Sequence, residues 1–289
     1  MRFAATALLW LFTTAALAAA VPMAWVQQNL VDADGYAALA QKAAGDPALQ
    51  SAVAAELSAK ATALISQRGS TADPSTVHQI ATAYTAGPSF PPQFAQANRL
   101  AHQWMFTRPR AQSDPWVIDL APMLEDSAFQ QMLADYHMRA PTSLNVPVTV
   151  TPPKTLRPAK LRPLAIWGPW VSIAAAVLTG ISALLTLAVA RNRGRALAAL
   201  GVSALLVGAA GWAGVEIARR RIDAALNHTT GDVRSIAAVM VDHAEAGVHH
   251  WLNLTLAAGG VLVALGVLAA VYGTITCDGS GRSSGGAWL

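Results

Sequence analysis

Four stretches of the chain, residues 3–31, 163–190, 196–215 and 246–277, contain no Asp, Glu, Lys or Arg. At 1.5 Å per helical residue, each holds a run long enough to cross about 30 Å of hydrocarbon. The pattern predicts a mainly α protein with four transmembrane helices. The predicted layout begins with a signal anchor or first span over 1–26 and a helical extracytoplasmic domain with a Pro-rich lead-in over 27–163. A second span over 164–190, a cytoplasmic loop over 191–195 and a third span over 196–216 follow. A helical hairpin over 217–250 then extends the last two spans, with a fourth span over 251–274 and a flexible cytoplasmic tail over 275–289. In an up-and-down path Trp25, Trp167, Trp170, Trp212 and Trp251 all fall on one side of the membrane, where aromatic rings sit at headgroup level.

Between the first two spans the punctuation is helical. Asp34 is expected to cap a short helix from near Gly35. Asp46-Pro47 sets a cap before proline at the first helical position, and Leu49, Val53, Leu57, Leu64 and Ile65 share an apolar face up to Arg68-Gly69. A second helix starts at Asp73-Pro74 and breaks at Gly87-Pro88. A third carries Phe94, Ala97, Ala101 and Met105, with Leu100 and Trp104, before Arg108-Pro109. Ser113-Asp114-Pro115 repeats the cap device ahead of Leu120, Met123 and Leu124, and further helix is expected through Tyr136. Residues 145–151 alternate like a strand, which Pro147 confines to an edge. Past the third span the helix should run through Leu226, turn over 227–231 and return from Asp232. Val239 and Met240 on the returning helix need an apolar partner, which the helices around Leu57, Trp104 and Leu133 are expected to supply.

Composition sharpens the membrane reading: 54% of residues are apolar and 12% charged, against roughly 25% charged in soluble domains. The formal charge of +4 does not point to nucleic acid, because the basic residues flank spans rather than accompany a reading motif. Lys154, Arg157, Lys160 and Arg162 precede the second span, Arg191, Arg193 and Arg195 follow it, and Arg219, Arg220 and Arg221 follow the third, as headgroup contact requires. The arginines of the 191–195 loop place it in the cytoplasm by the positive-inside rule. With Arg2 also inside, both termini are cytoplasmic. Ala18-Ala19-Ala20 has the look of a cleavage site, but the apolar run continues through Val26 for about 24 residues, beyond the usual 7–15 of a cleaved signal, so a retained anchor is expected. Cys277 is the sole cysteine, so no disulfide joins two parts of the chain.

The stretch Trp25-Val26-Gln27-Gln28-Asn29-Leu30-Val31-Asp32-Ala33-Asp34-Gly35-Tyr36, followed by Asp46-Pro47-Ala48-Leu49-Gln50-Ser51-Ala52-Val53, resembles the opening of a group of uncharacterised actinobacterial integral membrane proteins. Phe94-Ala95-Gln96-Ala97-Asn98-Arg99-Leu100-Ala101-His102 and Val117-Ile118-Asp119-Leu120-Ala121-Pro122 are similar to two later segments of that group. The resemblance implies an N-terminal anchor, an exterior helical domain, three C-terminal spans and an envelope location. It carries no reaction, ligand or catalytic residue.

Candidate chemistry is sparse. Asp32-Ala33-Asp34-Gly35 begins like a calcium loop, but Ala43 stands where a bidentate Glu is needed. Asp242, Glu245 and His249 share a helix face, with His243 and His250 beside it, and form the one metal-like constellation; carboxylate and imidazole suit zinc. The plainer reading is a wet surface at the end of a span. Ser89, His102 and Asp119 could be assembled as a triad, yet no nucleophile-elbow glycines surround the serine. Asn98, Arg99 and His102 are ligand or partner candidates, with Arg99 expected instead to tie helices together through Asp119 or Asp135. Small residues at every fourth position, Ser172, Ala176 and Gly180, Ala210 and Gly214, Gly260 and Ala264, Gly266 and Ala270, are expected to let the spans approach closely.

The expected function is that of a non-catalytic envelope protein that needs no cofactor. Its partners are the lipid bilayer and, through the exterior domain, another envelope protein, a lipid or a wall component. The alternatives are an oligomeric channel or transport component and, further off, a membrane metalloenzyme.

Overall fold

A computed structural model of the chain describes residues 2–67, 73–106, 117–119, 145–147, 162–227 and 231–279. Among these, four helices are long and apolar enough to cross a membrane, over Ala4–Val31, Ala165–Val189, Arg193–Leu226 and Asp232–Tyr272. The elements in order are α1 (Arg2–Val26), a π-helical turn (Gln27–Val31), α2 (Ala33–Ala43), α3 (Pro47–Gln67), α4 (Pro74–Thr85), α5 (Phe90–Phe106), β1 (Val117–Asp119), β2 (Asn145–Pro147), α6 (Arg162–Val189), α7 (Arg193–Leu226) and α8 (Asp232–Gly279). The last two helices run past the ends of their apolar stretches, as the sequence predicts. Between them Gly231 adopts φ 63°, a left-handed conformation that costs glycine little.

The chain divides into two compact units, one of Met1–Val26, Pro169–Ala218 and Gly247–Leu289, the other of Gln27–Gly168 and Arg219–Ala246. In the first unit α7 and α8 pack through glycines. A Cβ placed on Gly201 would lie 2.6 Å from the Val263 nitrogen and 2.7 Å from the Gly259 carbonyl oxygen. One on Gly194 would lie 2.8 Å from the Gly266 oxygen, and one on Gly208 would strike Leu256 at 2.6 Å. The contact thus recurs every seventh residue, the period of a left-handed helix pair. The expected fourfold spacing holds only in part. Gly266 is in the contact, whereas a Cβ on Gly180, Gly214 or Gly260 would meet nothing within 4 Å.

The first helix joins this pair by polar groups. Trp10 Nε1 donates to the Ala199 carbonyl at 2.9 Å, and the Thr14 and Ser203 hydroxyls lie 2.8 Å apart. Such bonds suit apolar surroundings, where an unsatisfied group is costly. Large side chains face outward instead: Leu8 is 67% exposed, Leu184 67% and Val261 58%. A continuous surface of this kind is an association hazard in water and is matched by hydrocarbon.

The second unit has an aqueous-type core. Ala43, Ala44, Leu49, Val53, Tyr84 and Phe90 are buried together, and Phe94, Ile236, Val239 and Met240 pack on them. The apolar partner expected for Val239 and Met240 therefore exists, but α2 to α5 supply it through other residues than anticipated. Leu57 is 37% exposed, while the side chain of Trp104 and residue Leu133 lie outside the described set. Leu49 and Val53 keep the inward face predicted for α3. Val117–Asp119 is extended and pairs antiparallel with Asn145–Pro147, so strand begins soon after the Ser113-Asp114-Pro115 cap, where helix was expected; residues 120–144 and 148–151 lie outside the described set.

The starts of α2, α3 and α4 follow the predicted caps with one change. Asp32, not Asp34, caps α2 by accepting from the Gly35 amide at 2.8 Å. Asp46 accepts from the Ala48 amide at 2.8 Å ahead of Pro47. Asp73 accepts from the Ser75 hydroxyl and amide and from the Thr76 hydroxyl, and these bonds, that from the Ser75 side chain first, hold its carboxyl below the usual range. A depressed carboxylate contributes stability above its unfolded pKa and loses it as pH falls through the folded value. Asp73→Ala should therefore lower the melting temperature at neutral pH, with the difference from wild type fading on acidification. Melting curves between neutral and strongly acidic pH check this, and a gap that stays constant refutes it.

Candidate functional site

The helix face bearing Asn98, Arg99 and His102 is built into the second unit as a joint. His102 is 3% exposed. Its Nε2 lies 3.0 Å from the Leu30 carbonyl oxygen, which only accepts, so Nε2 carries the proton. The ring stacks on Phe106 at 4.2 Å and tilts against Tyr36 at 5.2 Å. Burial pushes the Tyr36 phenol above its ordinary pKa. Leu30 belongs to the π turn, whose widened ring is closed by the Asp32 amide donating to the Gln27 carbonyl at 2.9 Å. Gly35 then packs so closely on this turn that an added Cβ would fall 2.9 Å from the Gln28 carbonyl carbon and closer still to its oxygen.

Arg99 Nη2 contacts Asp34 Oδ1 at 2.7 Å. This corrects the expected partner, Asp119 or Asp135; of those two, Asp135 lies outside the described residues. The Asp34 side chain is 80% exposed, so the pair is solvent-screened and worth about 0–1 kcal/mol. It orients more than it stabilises. Asn98 spends its amide on its own helix, donating to the Phe94 carbonyl at 2.9 Å. Arg99 Nε and His102 Nδ1 are buried without a hydrogen-bond partner. The Ser89, His102, Asp119 triad is not assembled, since the one N–H of the imidazole is bonded to Leu30 and its other nitrogen has no partner.

The carboxylates of the metal-like face hold an arginine. Arg219 Nη2 donates to Asp242 Oδ1 at 2.8 Å, Nη1 donates to Glu245 Oε2, and Nε lies 4.0 Å from Asp223 Oδ2. A guanidinium fork matches carboxylates in this way, and it holds one oxygen of each of Asp242 and Glu245. His249 lies flat on Trp212, centroids 3.8 Å apart and rings 8° from parallel. His243 Nδ1 donates to the Val239 carbonyl at 3.0 Å, with Nε2 4.0 Å from Asp46 Oδ2. Among the described residues no group of three or more His, Cys, Asp or Glu is placed to hold a metal ion. Alanine at Asp242, Glu245 and His249, expected on the wet-surface reading to leave melting unchanged, should instead lower it, because Arg219 loses two partners.

Arg219 itself was legible only as a headgroup contact. The signal that places it is the turn predicted over 227–231, since residues at similar distances on either side of a hairpin turn come to face each other. The spanning unit also encloses a partly open cavity of about 440 Å³ whose walls include Val21, Trp25, Gly211, Gly214, Trp251 and Leu252. No charged residue or histidine lines it.

The fold defines a class, a mainly helical chain with four helices compatible with a multi-pass membrane protein. Comparison with known protein families, with curated proteins and with solved structures finds no match to the chain.

Proposed function

We propose that the chain is a non-catalytic multi-pass protein of the cell membrane whose helical domain outside the spans is an interaction or scaffold module of the envelope. The observation that carries this reading is the use made of the second unit's functional groups: Arg99 with Asp34, His102 with Leu30, and Arg219 with Asp242 and Glu245 all join one element to another. Retention of the N-terminal anchor is supported by the bonds from Trp10 and Thr14 to α7, both of which cleavage after Ala20 would remove. The arginines of the 191–195 loop favour a cytoplasmic loop and cytoplasmic termini, with 27–163 outside. The kinship to the actinobacterial group belongs to the same proposal, as does a partner among envelope proteins, lipids or wall components.

Single cysteines in a Cys277→Ser protein test the topology. A cysteine within α2 to α5 should label from outside intact cells, and one at Asn192 should not; the reverse pattern overturns the orientation. A photo-crosslinking residue at Leu100, which is 37% exposed, should capture one discrete envelope component that outward-facing Leu184 does not. Identical capture from both positions would sink the module reading, and stoichiometric zinc in the purified protein would sink the non-catalytic one.

A further inference from the structure

The cavity of the spanning unit is walled by three helices, α1 from Ala18 to Val26, α7 from Val207 to Ala218 and α8 from Val248 to Leu252. Its walls are mostly apolar and carry no charged residue or histidine, and its volume of about 440 Å³ lies in the range of small-molecule sites, roughly 300–1,000 Å³. An apolar void of this sort does not recruit water, and its lining forfeits dispersion contacts while it stands empty. Trp25 and Trp251 stand in its wall, and rings of this kind mark headgroup level. From Trp25 the α1 wall runs inward to Ala18, seven residue steps or about 10 Å at the helical rise. Gly214 stands in the α7 wall with nothing within 4 Å of where its side chain would be, so the space is real at a point where the sequence suggested helix contact.

From this geometry we propose that the cavity holds the upper part of one acyl tail of a bilayer phospholipid, lying along α1 with its headgroup at the level of Trp25. The inference rests on the membrane-spanning reading. It goes beyond that reading in naming a bound lipid rather than a surrounding one. The occupant is a phospholipid tail because the cavity is partly open, lies within membrane-length apolar helices and offers no charge or imidazole to a polar ligand. A peptide would leave its backbone groups unpaired there.

The test is native mass spectrometry of the full chain, extracted and exchanged into a lipid-free detergent, with the retained lipid identified after release. Wild type should keep one phospholipid per chain. Gly214→Leu should lose it at least tenfold by filling the cavity, whereas Gly260→Leu, whose added side chain also meets open space but outside the cavity wall, should keep it. Circular dichroism checks that each variant is folded, and Ala210→Val, in the same wall, carries the test if Gly214→Leu does not fold. Equal retention in the filled and wild-type cavities overturns the proposal, as does a wild-type protein that retains no lipid, a free fatty acid or a peptide. Alkaline carbonate extraction separates this failure from that of the membrane reading: a chain that stays in the membrane pellet yet retains no phospholipid refutes the site alone.

Discussion

Gly201→Leu should split the α7 and α8 contact and cost about 3 kcal/mol, the upper part of the range for overpacking. Backbone, not a flexible side chain, stands in the way: the Val263 nitrogen at 2.6 Å and the Gly259 oxygen at 2.7 Å from the added Cβ. Neither can move without shifting its helix. Unfolding in mixed micelles by increasing SDS would read the loss, with Gly180→Leu and Gly260→Leu as controls, since each meets nothing within 4 Å. If all three variants unfold at the same detergent fraction, the glycine contact does not hold the pair together.

Gly35→Ala is the second large effect. A single methyl group would enter the space of the Gln28 carbonyl, so α2 must lift from the π turn or the turn must rewind as ordinary helix. Either change moves Leu30 away from His102 and exposes an imidazole that is now 3% exposed. The expected cost is about 2–3 kcal/mol, at the high end for one overpacked methyl. Thermal melting checks it against Gly45→Ala, whose Cβ would approach the Lys42 oxygen at a tolerable 3.3 Å. Deuterium uptake should rise in α2 and α5 and stay unchanged in α4. Uniform uptake across all three would mean that the joint is not local.

The spans and the reversal between Leu226 and Asp232 were legible because each rests on composition along the chain: runs without charge, then a break at Gly231. Asp232, expected as a cap, is the first residue of α8. The caps were nearly so, with Asp32 taking the place of Asp34 once Asp34 faces Arg99. What the sequence concealed depends on the facing element. An Ala-rich helix offers small residues at many spacings, and only the opposing helix selects Gly194, Gly201 and Gly208 over Gly180 and Gly214. The π turn was hidden for the same reason, since its widening is held by Gly35 and His102 from other helices. Likewise the choice of Asp34 over Asp119 for Arg99 depends on which elements meet, and local pattern does not encode that.

The facing pairs Gly194 with Gly266, Gly201 with Gly259, and Gly208 with Leu252 share one midpoint, position 230, between α7 and α8. The hairpin is therefore a ruler with its zero at position 230. Seven residues removed from α7 between Gly208 and the turn would leave every glycine opposite the wrong neighbour unless α8 lost seven between the turn and Leu252. A single residue lost from one side would also swing its face by about 100°. The two longest helices among the described residues can thus lengthen or shorten only together and in matched heptads, so a relative of different hairpin length should carry its insertions or deletions as a symmetric pair.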